Sequence, residues 1–378
     1  MLLTDAQELV RDTARDFART RIAPHSRAWE AAGQFPADVL AEMGALGFMG
    51  MTVPEHLGGA GLDYVSYALA LMEIAAGDGG LSTLMSVNNA PVCAILQAAG
   101  TPAQQAQYLD PLARGRMIGA FALTEPQAGS DASNLRTSAR RTDGGYRLNG
   151  VKQFITSGKI AGVTITFATT DPAAGKRGIS AFLVPTDRSG YTVARVESKL
   201  GQRASDTAQL VYEDVFIEDA LRIGAEGDGY RIALSNLETG RIGIAAQSVG
   251  MAVAALEEAL RFAGSREAFG KPIAQHQALQ FRLVDMATEL EAARQLVLHA
   301  AALKDARRPC LTEACMAKLY ASESAERIVS AALQVHGGYG YVTDSLVEKI
   351  YRDVRVCQIY EGTSDVQRLL IGRELLKS

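Results

Sequence analysis

The sequence predicts an α+β multidomain protein that is mainly helical. It has an N-terminal all-helical domain over residues 1–117, a middle antiparallel β-barrel or sandwich over 118–225, and a C-terminal four-helix bundle over 226–378. Three observations carry that expectation. Apolar residues recur every three to four positions in the first third, they switch to short β-branched and aromatic runs in the middle, and they return to long helical periods at the end.

In the first third, Thr4 with Gln7 forms a capping box, and Leu9, Val10, Ala14, Phe17, Ala18 and Ile22 follow at helical spacing until Pro24. Pro36 marks the start of a second helix through Val39, Leu40 and Met43. Three glycines and a proline make residues 53–61 irregular, after which helices resume over about 62–76 and 81–99. Thr101, Pro102 and Gln104 open a short capped helix.

The middle third carries short runs at Val163–Ala168, Ile179–Val184 and Leu210–Ile217, with Asn149-Gly150 as a hairpin signal. With no helix between these runs, an antiparallel arrangement is expected, and no Gly-x-Gly-x-x-Gly dinucleotide fingerprint occurs. Helical periods return over about 230–262, 276–306, 313–336 and 345–352, then from Asp365 onward. Gly240, Gly243 and Gly250 interrupt the first of these, which points to close helix contact or a ligand against the backbone.

The 378 residues are 48% apolar and 21% charged, the balance of a globular protein. A net charge of −4 argues against nucleic acid as a partner. No run of about 18 apolar residues is evident, so no membrane span is expected. The first residues enter an acidic amphipathic helix without a leader pattern, and the four scattered cysteines read as reduced structural thiols. A cytoplasmic location and no metal site follow as expectations.

The most informative stretch is Cys357-Gln358-Ile359-Tyr360-Glu361-Gly362-Thr363-Ser364-Asp365-Val366-Gln367-Arg368. Ser364 reads as the N-cap of the last helix and Gln367 as the other half of a capping box. Glu361, packed against Ile359 and Tyr360, is expected to lose hydration, which raises its pKa toward neutrality and suits it to act as a general base.

Four further segments stand out: Phe121–Asp131 (FALTEPQAGSD), Gln153–Gly158 (QFITSG), Ser265–Pro272 (SREAFGKP) and Gln334–Tyr341 (QVHGGYGY). With Tyr360–Ser364 they resemble, in order and over the whole chain, the acyl-CoA dehydrogenase family of flavoenzymes. Pro54–Asp63 (PEHLGGAGLD) and Met85–Asn89 (MSVNN) resemble its short-chain, butyryl-CoA dehydrogenase-like branch. The family's fold is the helical, β, helical-bundle order already read from periodicity. The resemblance implies FAD as cofactor, an acyl-CoA substrate, an electron-transfer flavoprotein as electron acceptor and a homotetramer.

It also implies roles. Phe121, Leu123, Thr124, Gly129, Ser130, Phe154, Ile155 and Thr156 would bind flavin, with Thr156 meeting its N5 and Phe154 standing where relatives commonly carry Trp. Arg266, Phe269, Gln277, Gln334, Val335, Gly337, Gly338, Thr363 and Ser364 would hold the rest of FAD, Arg266 at the pyrophosphate. Ser130, Glu238, Arg241, Tyr360, Gly362 and Arg373 would contact substrate, Arg241 and Glu238 at the nucleotide end of coenzyme A. His336 is given no chemistry.

Some branches place the base at the position that is Gly240 here, which leaves Glu361 as the catalytic residue. The activity implied is α,β-dehydrogenation of a short-chain or short branched acyl-CoA to the trans-2-enoyl-CoA. An acyl-CoA oxidase and a non-catalytic protein of the same fold are the alternatives. The chain length favours the dehydrogenase over the first, and intact Glu361, Thr156 and Arg266 speak against the second.

Overall fold

The computed structural model describes residues 2–377, leaving Met1 and Ser378 outside the described chain. The N-terminal part contains α1 (Asp5–Phe17), α2 (Ser26–Ala32), α3 (Ala37–Ala45), α4 (Tyr64–Gly77), α5 (Gly79–Val87), α6 (Ala94–Ala99), α7 (Pro102–Gln104) and α8 (Asp110–Ala113). Both expected capping boxes form. Thr4 Oγ1 accepts from Gln7 N at 3.3 Å and Thr101 Oγ1 from Gln104 N at 3.2 Å, each answered by the glutamine side chain.

The middle part is one eight-stranded sheet of β1 (Gly119–Ala122), β2 (Ser138–Thr142), β3 (Gly145–Thr156), β4 (Val163–Thr169), β5 (Ile179–Pro185), β6 (Tyr191–Val196), β7 (Thr207–Glu218) and β8 (Arg222–Ile223). Its order is β6-β7-β3-β2-β4-β5-β8, with β1 on β4. The sheet is mixed rather than wholly antiparallel: β1 runs parallel to β4, and β2 touches β4 in parallel at Ser138 and Thr169.

The Asn149-Gly150 expectation is corrected as well. Both residues lie inside β3, and the hairpin turns instead at Asp143-Gly144, where Gly144 takes φ 71°. Asn149 spends its side chain on the Asp214 N–H at 2.9 Å, and Gly150 sits so close to Thr137 that a Cβ would overlap it. The pair builds a register shift against β7, not a turn.

The last part holds α9 (Gly229–Ser265), a two-stranded clip of β9 (Glu267–Ala268) and β10 (Lys271–Pro272), α10 (Gln277–Asp305), α11 (Leu311–His336), α12 (Gly338–Tyr341), α13 (Leu346–Val354) and α14 (Ser364–Leu375). The helices α9, α10 and α11 pack on one another, and α13 and α14 pack on α11. By length and composition α9 could cross a membrane, but its most apolar window is 83% buried inside the fold. All four cysteines are free buried thiols.

The cores do not respect the sequence segments. One core joins α1 and α4–α5 to the bundle through Leu71, Ile74, Ile242 and Ala246. A second joins the sheet to the 92–113 helices through Ile95, Leu112, Phe167 and Phe182. At their junction Lys349 of α13 lies between Asp78 at 3.0 Å and Asp353 at 2.6 Å, all three buried. Asp353 also accepts from the Gln202 N–H, and Asp78 from Ser26 Oγ and, at 2.9 Å, from the Leu81 N–H. This polar node draws on all three parts of the chain.

Candidate active site

The loop between α13 and α14 is held by its own backbone twist. Glu361 and Gly362 both adopt left-handed φ, 52° and 89°, and for a glutamate that conformation is strained. Three donor contacts retain it. Gln367 Nε2 reaches the Glu361 carbonyl at 3.2 Å and the Gly362 carbonyl at 2.8 Å, and Lys318 Nζ reaches the Gly362 carbonyl at 2.8 Å.

That arrangement corrects the expected capping box. The N-cap of α14 is Thr363, whose Oγ1 accepts from Val366 N at 3.3 Å, while Ser364 is the first helical residue and its buried Oγ has no partner. Gln367 is drawn away to the loop carbonyls, so the cap moves one residue earlier.

The side chain of Glu361 turns into the protein, where its Oε2 is buried without a hydrogen-bond partner. The carboxyl lies against the α9 backbone at Gly240. A Cβ there would overlap Oε2 and stand 2.9 Å from Cδ. Burial pushes the Glu361 carboxyl up to about 7, against the pull of Arg241 and Lys318.

One turn further along α9, a Cβ at Gly243 would stand 2.6 Å from Ser86 Oγ and 3.0 Å from the Tyr67 hydroxyl. These two hydroxyls share only a long 3.4 Å contact. The face of α9 thus meets the Glu361 carboxyl at one level and two hydroxyls at the next.

Tyr360 faces inward: its hydroxyl donates to Gln247 Oε1 and lies 3.4 Å from Thr83 Oγ1, and burial raises the phenol well above its usual range. Its hydroxyl is therefore committed to the protein.

Arg241 and Glu238, expected together at the nucleotide end of coenzyme A, separate. Arg241 is buried beside the carboxylate of Glu361, its Nε unpaired. Glu238 pairs with Lys304 at 2.9 Å and takes the Cys310 thiol at 3.3 Å. The two are three residues apart on α9 and share a helix face, so it is their partners that differ: Glu238 turns to Lys304 and Cys310, and Arg241 to Glu361. Arg373 is exposed on α14.

The Leu123–Ser130 segment is built on a buried ion pair, Glu125 with Lys152 at 2.7 Å. Glu125 also accepts from Arg136 N at 2.7 Å and Thr137 N at 3.1 Å, and Lys152 donates to the Leu123 carbonyl at 3.0 Å. Gly129 and Ser130 are left exposed on this base, and the Thr124 carbonyl takes the Gln153 N–H at 2.9 Å. Phe121 stacks edge-on to Phe167 at 5.1 Å. Next to this segment Phe154 stands 62% exposed at φ 59°, Thr156 is half-buried, and Ile155 is buried, so only its backbone is available.

A groove of about 530 Å³ lies past the end of α9, lined among others by Phe262, Arg266, Val335, Gly337, Gly338 and Tyr339. Arg266 sits 5.4 Å over the Tyr339 ring, and Gln277, Gln334 and Phe269 are exposed nearby in sequence, Phe269 at φ 55°. His336 is packed against Phe262 at 4.3 Å and bonded to the Ala332 carbonyl at 2.8 Å.

These residues fit a flavin nucleotide. Gly129, Gly337 and Gly338 have open space where a side chain would stand. Large rings at Phe154 and Phe269 are held outward by backbone that their residue type disfavours. Among the described residues, no group of three acidic, His or Cys side chains is placed to hold a metal.

Sequence reasoning missed Tyr67, Ser86, Thr83, Gln247, Lys318 and the true role of Gln367. Only Lys318 left a signal, a lysine on the apolar stripe of Ala314, Ala317, Ala321 and Ala325.

Fold and site together define a FAD-dependent oxidoreductase acting on a CH–CH bond. The chain belongs to the acyl-CoA dehydrogenase family, matching its N-terminal domain over residues 4–116, its middle domain over 120–215 and its C-terminal domain over 227–376. It is similar to the mitochondrial short-chain specific acyl-CoA dehydrogenase of Bos taurus, 46% identical across 100% of this chain and 91% of that one. Among solved structures it resembles butyryl-CoA dehydrogenase from Megasphaera elsdenii, with a TM-score of 0.97 and 39% identity over all of both chains. A chain from a structure of the electron transferring flavoprotein of Acidaminococcus fermentans gives a TM-score of 0.98 at 42% identity, again over all of both chains.

Proposed function

We propose that this enzyme dehydrogenates a short saturated acyl-CoA between C2 and C3, with Glu361 removing the α-proton. The observation that carries the reading is the Glu361 carboxyl, buried and unpaired against Gly240 and poised near neutrality. Its protonation midpoint suits proton transfer from a weak carbon acid. Arg241 and Lys318 help it return to the charged form, and its burial keeps water from it.

The Glu361 N–H is the proposed donor to the thioester carbonyl, on a loop whose Glu361 and Gly362 carbonyls are held by Gln367 and Lys318. When bound, FAD supplies the acceptor for the β-hydride. The segments 121–130 and 154–156 would hold its ring, with Thr363 and Ser364 beside them, and Gly337, Gly338, Gln334, Val335, Phe269, Gln277 and Arg266 the remainder.

Arg266 reaches a site other than its own chain's. From Gly240 to Ser265 the helix is about 37 Å long at ~1.5 Å per residue, longer than one flavin nucleotide spans from ring to pyrophosphate. The pyrophosphate contact is thus proposed to cross a subunit boundary in a homotetramer.

The short-chain reading rests on the relatives in cattle and Megasphaera, and on the Tyr67 and Ser86 hydroxyls that stand only one turn beyond the base. Gly362, the Tyr360 ring and Ser130 remain proposed substrate contacts, with Arg373 at the outer end. By likeness to the Acidaminococcus structure, an electron-transferring flavoprotein is the proposed acceptor.

The test is to mix wild type and Glu361→Gln anaerobically with butyryl-CoA and follow flavin bleaching. Unchanged bleaching in the variant sinks the assignment of the base. A panel of straight and branched acyl-CoAs tests the chain length, which is overturned if long chains turn over fastest.

A further inference from the structure

Three lysines are buried among the described residues, Lys152, Lys318 and Lys349. A lysine is seldom fully buried without a carboxylate partner, because the ammonium forfeits its hydration. Lys152 is paired with Glu125, and Lys349 with Asp78 and Asp353. Lys318 has no carboxylate within ion-pair distance among the described residues, and its hydrogen bond goes to the Gly362 carbonyl at 2.8 Å. It stands on α11 with no solvent exposure, in the bundle core beside Ala317 and Ala321.

We infer that Lys318 is a positioning residue for the reacting loop, holding the strained Glu361–Gly362 backbone in place while its charge faces the Glu361 carboxylate. This rests on the reading of Glu361 as the base.

The geometry explains why a charged donor is used. Two successive left-handed residues are unfavourable when the first is a glutamate, and only firm outside contacts keep them. Gln367 supplies two of these contacts and Lys318 the third. Tying the Glu361 carbonyl to one side turns the N–H of the same peptide, that of Gly362, toward the other. A charged donor also makes a stronger hydrogen bond than an amide does.

The charged and titratable groups that face Glu361 are Arg241 on α9, Lys318 on α11 and the Tyr67 phenol on α4. Burial lowers the Lys318 ammonium to about 8, which leaves it mostly charged at neutral pH. Its charge favours ionised Glu361, so removing it moves the titration of Glu361 upward in pH. Gln367 shares the backbone duty and carries no charge. The two residues therefore separate holding the loop from tuning the base.

The experiment compares Lys318→Met, Lys318→Arg and Gln367→Met as FAD-loaded enzymes, reading kcat and KM for butyryl-CoA across pH. In Lys318→Met, kcat falls about tenfold or more with little change in KM, and its acid limb moves up by about one pH unit, the effect of losing one nearby positive charge. In Gln367→Met, kcat falls but the limb stays where it is in wild type. In Lys318→Arg, the charge is kept and so is the limb, and this variant carries the test should Lys318→Met fail to fold.

An unmoved limb in Lys318→Met overturns the inference. So does an equal shift in Gln367→Met, a shifted limb in Lys318→Arg, or a loss of activity that merely follows FAD content. If instead Glu361→Gln remains active, it is the base assignment that falls.

Discussion

Glu125 and Glu361 are both withdrawn from solvent, yet they end in opposite states. Glu125 meets the Lys152 ammonium at 2.7 Å and two backbone N–H groups, and these hold its carboxyl down at about 2 despite the cost of burial. Glu361 has a buried oxygen with no partner and is pushed up to about 7. A lysine lies near each of them. At Glu125 the lysine binds the carboxylate, and at Glu361 it binds a neighbouring carbonyl and leaves the carboxylate free. A satisfied buried acid braces a loop, whereas an unsatisfied one is available for proton transfer.

The largest test of this contrast is Glu361→Gln, which should lower the rate of flavin reduction by acyl-CoA about 10³- to 10⁴-fold with FAD still bound. Stopped-flow bleaching measures it. Lys152→Met attacks the other half. It strands Glu125 without its cation and should cost about 3–5 kcal/mol in urea unfolding.

Gly240→Ala tests the seat of the Glu361 carboxyl. Helix propensity alone favours alanine by ~1 kcal/mol. The added methyl collides with the Glu361 carboxyl, however, so kcat should fall about 10²-fold through misplacement.

The pH dependence of stability should show both glutamates with opposite signs. The depressed Glu125 adds stability that is present above its usual value of 4.5 and is lost as pH falls toward about 2. The raised Glu361 holds its proton in the folded state after the unfolded chain has released one. Stability therefore drops as pH climbs from 4.5 to about 7, and Glu361→Gln should flatten that slope in urea titrations. The smallest effect belongs to Thr363→Ala. It removes the true cap of α14 at a cost of about 1 kcal/mol, while Ser364→Ala should cost less.

Much of this was legible in the chain. Helix and strand periods gave the three-part order, and Thr4/Gln7 and Thr101/Gln104 capped their helices because nothing distant competed for those side chains. Ser364/Gln367 has the same pattern and failed, because the loop carbonyls of Glu361 and Gly362 claimed the glutamine. Asn149-Gly150 failed for a similar reason, its asparagine being claimed by Asp214 across the sheet. Local rules hold until a tertiary contact outbids them. Glu361 was visible as a candidate, but the room that Gly240 leaves for it, the hydroxyls of Tyr67 and Ser86, and the orientation of Lys318 exist only once α4, α5, α9 and α11 are brought together.

The node of Lys349, Asp78 and Asp353, with Gln202 and Ser26 around it, has a consequence for how the molecule comes apart. Peeling the sheet away removes the Gln202 N–H from a buried carboxylate, and freeing the first helices removes Asp78 from a buried ammonium. No third of the chain can detach and leave the others content. Heating should therefore give one cooperative calorimetric transition for the whole chain, with no separate early melting of the β portion.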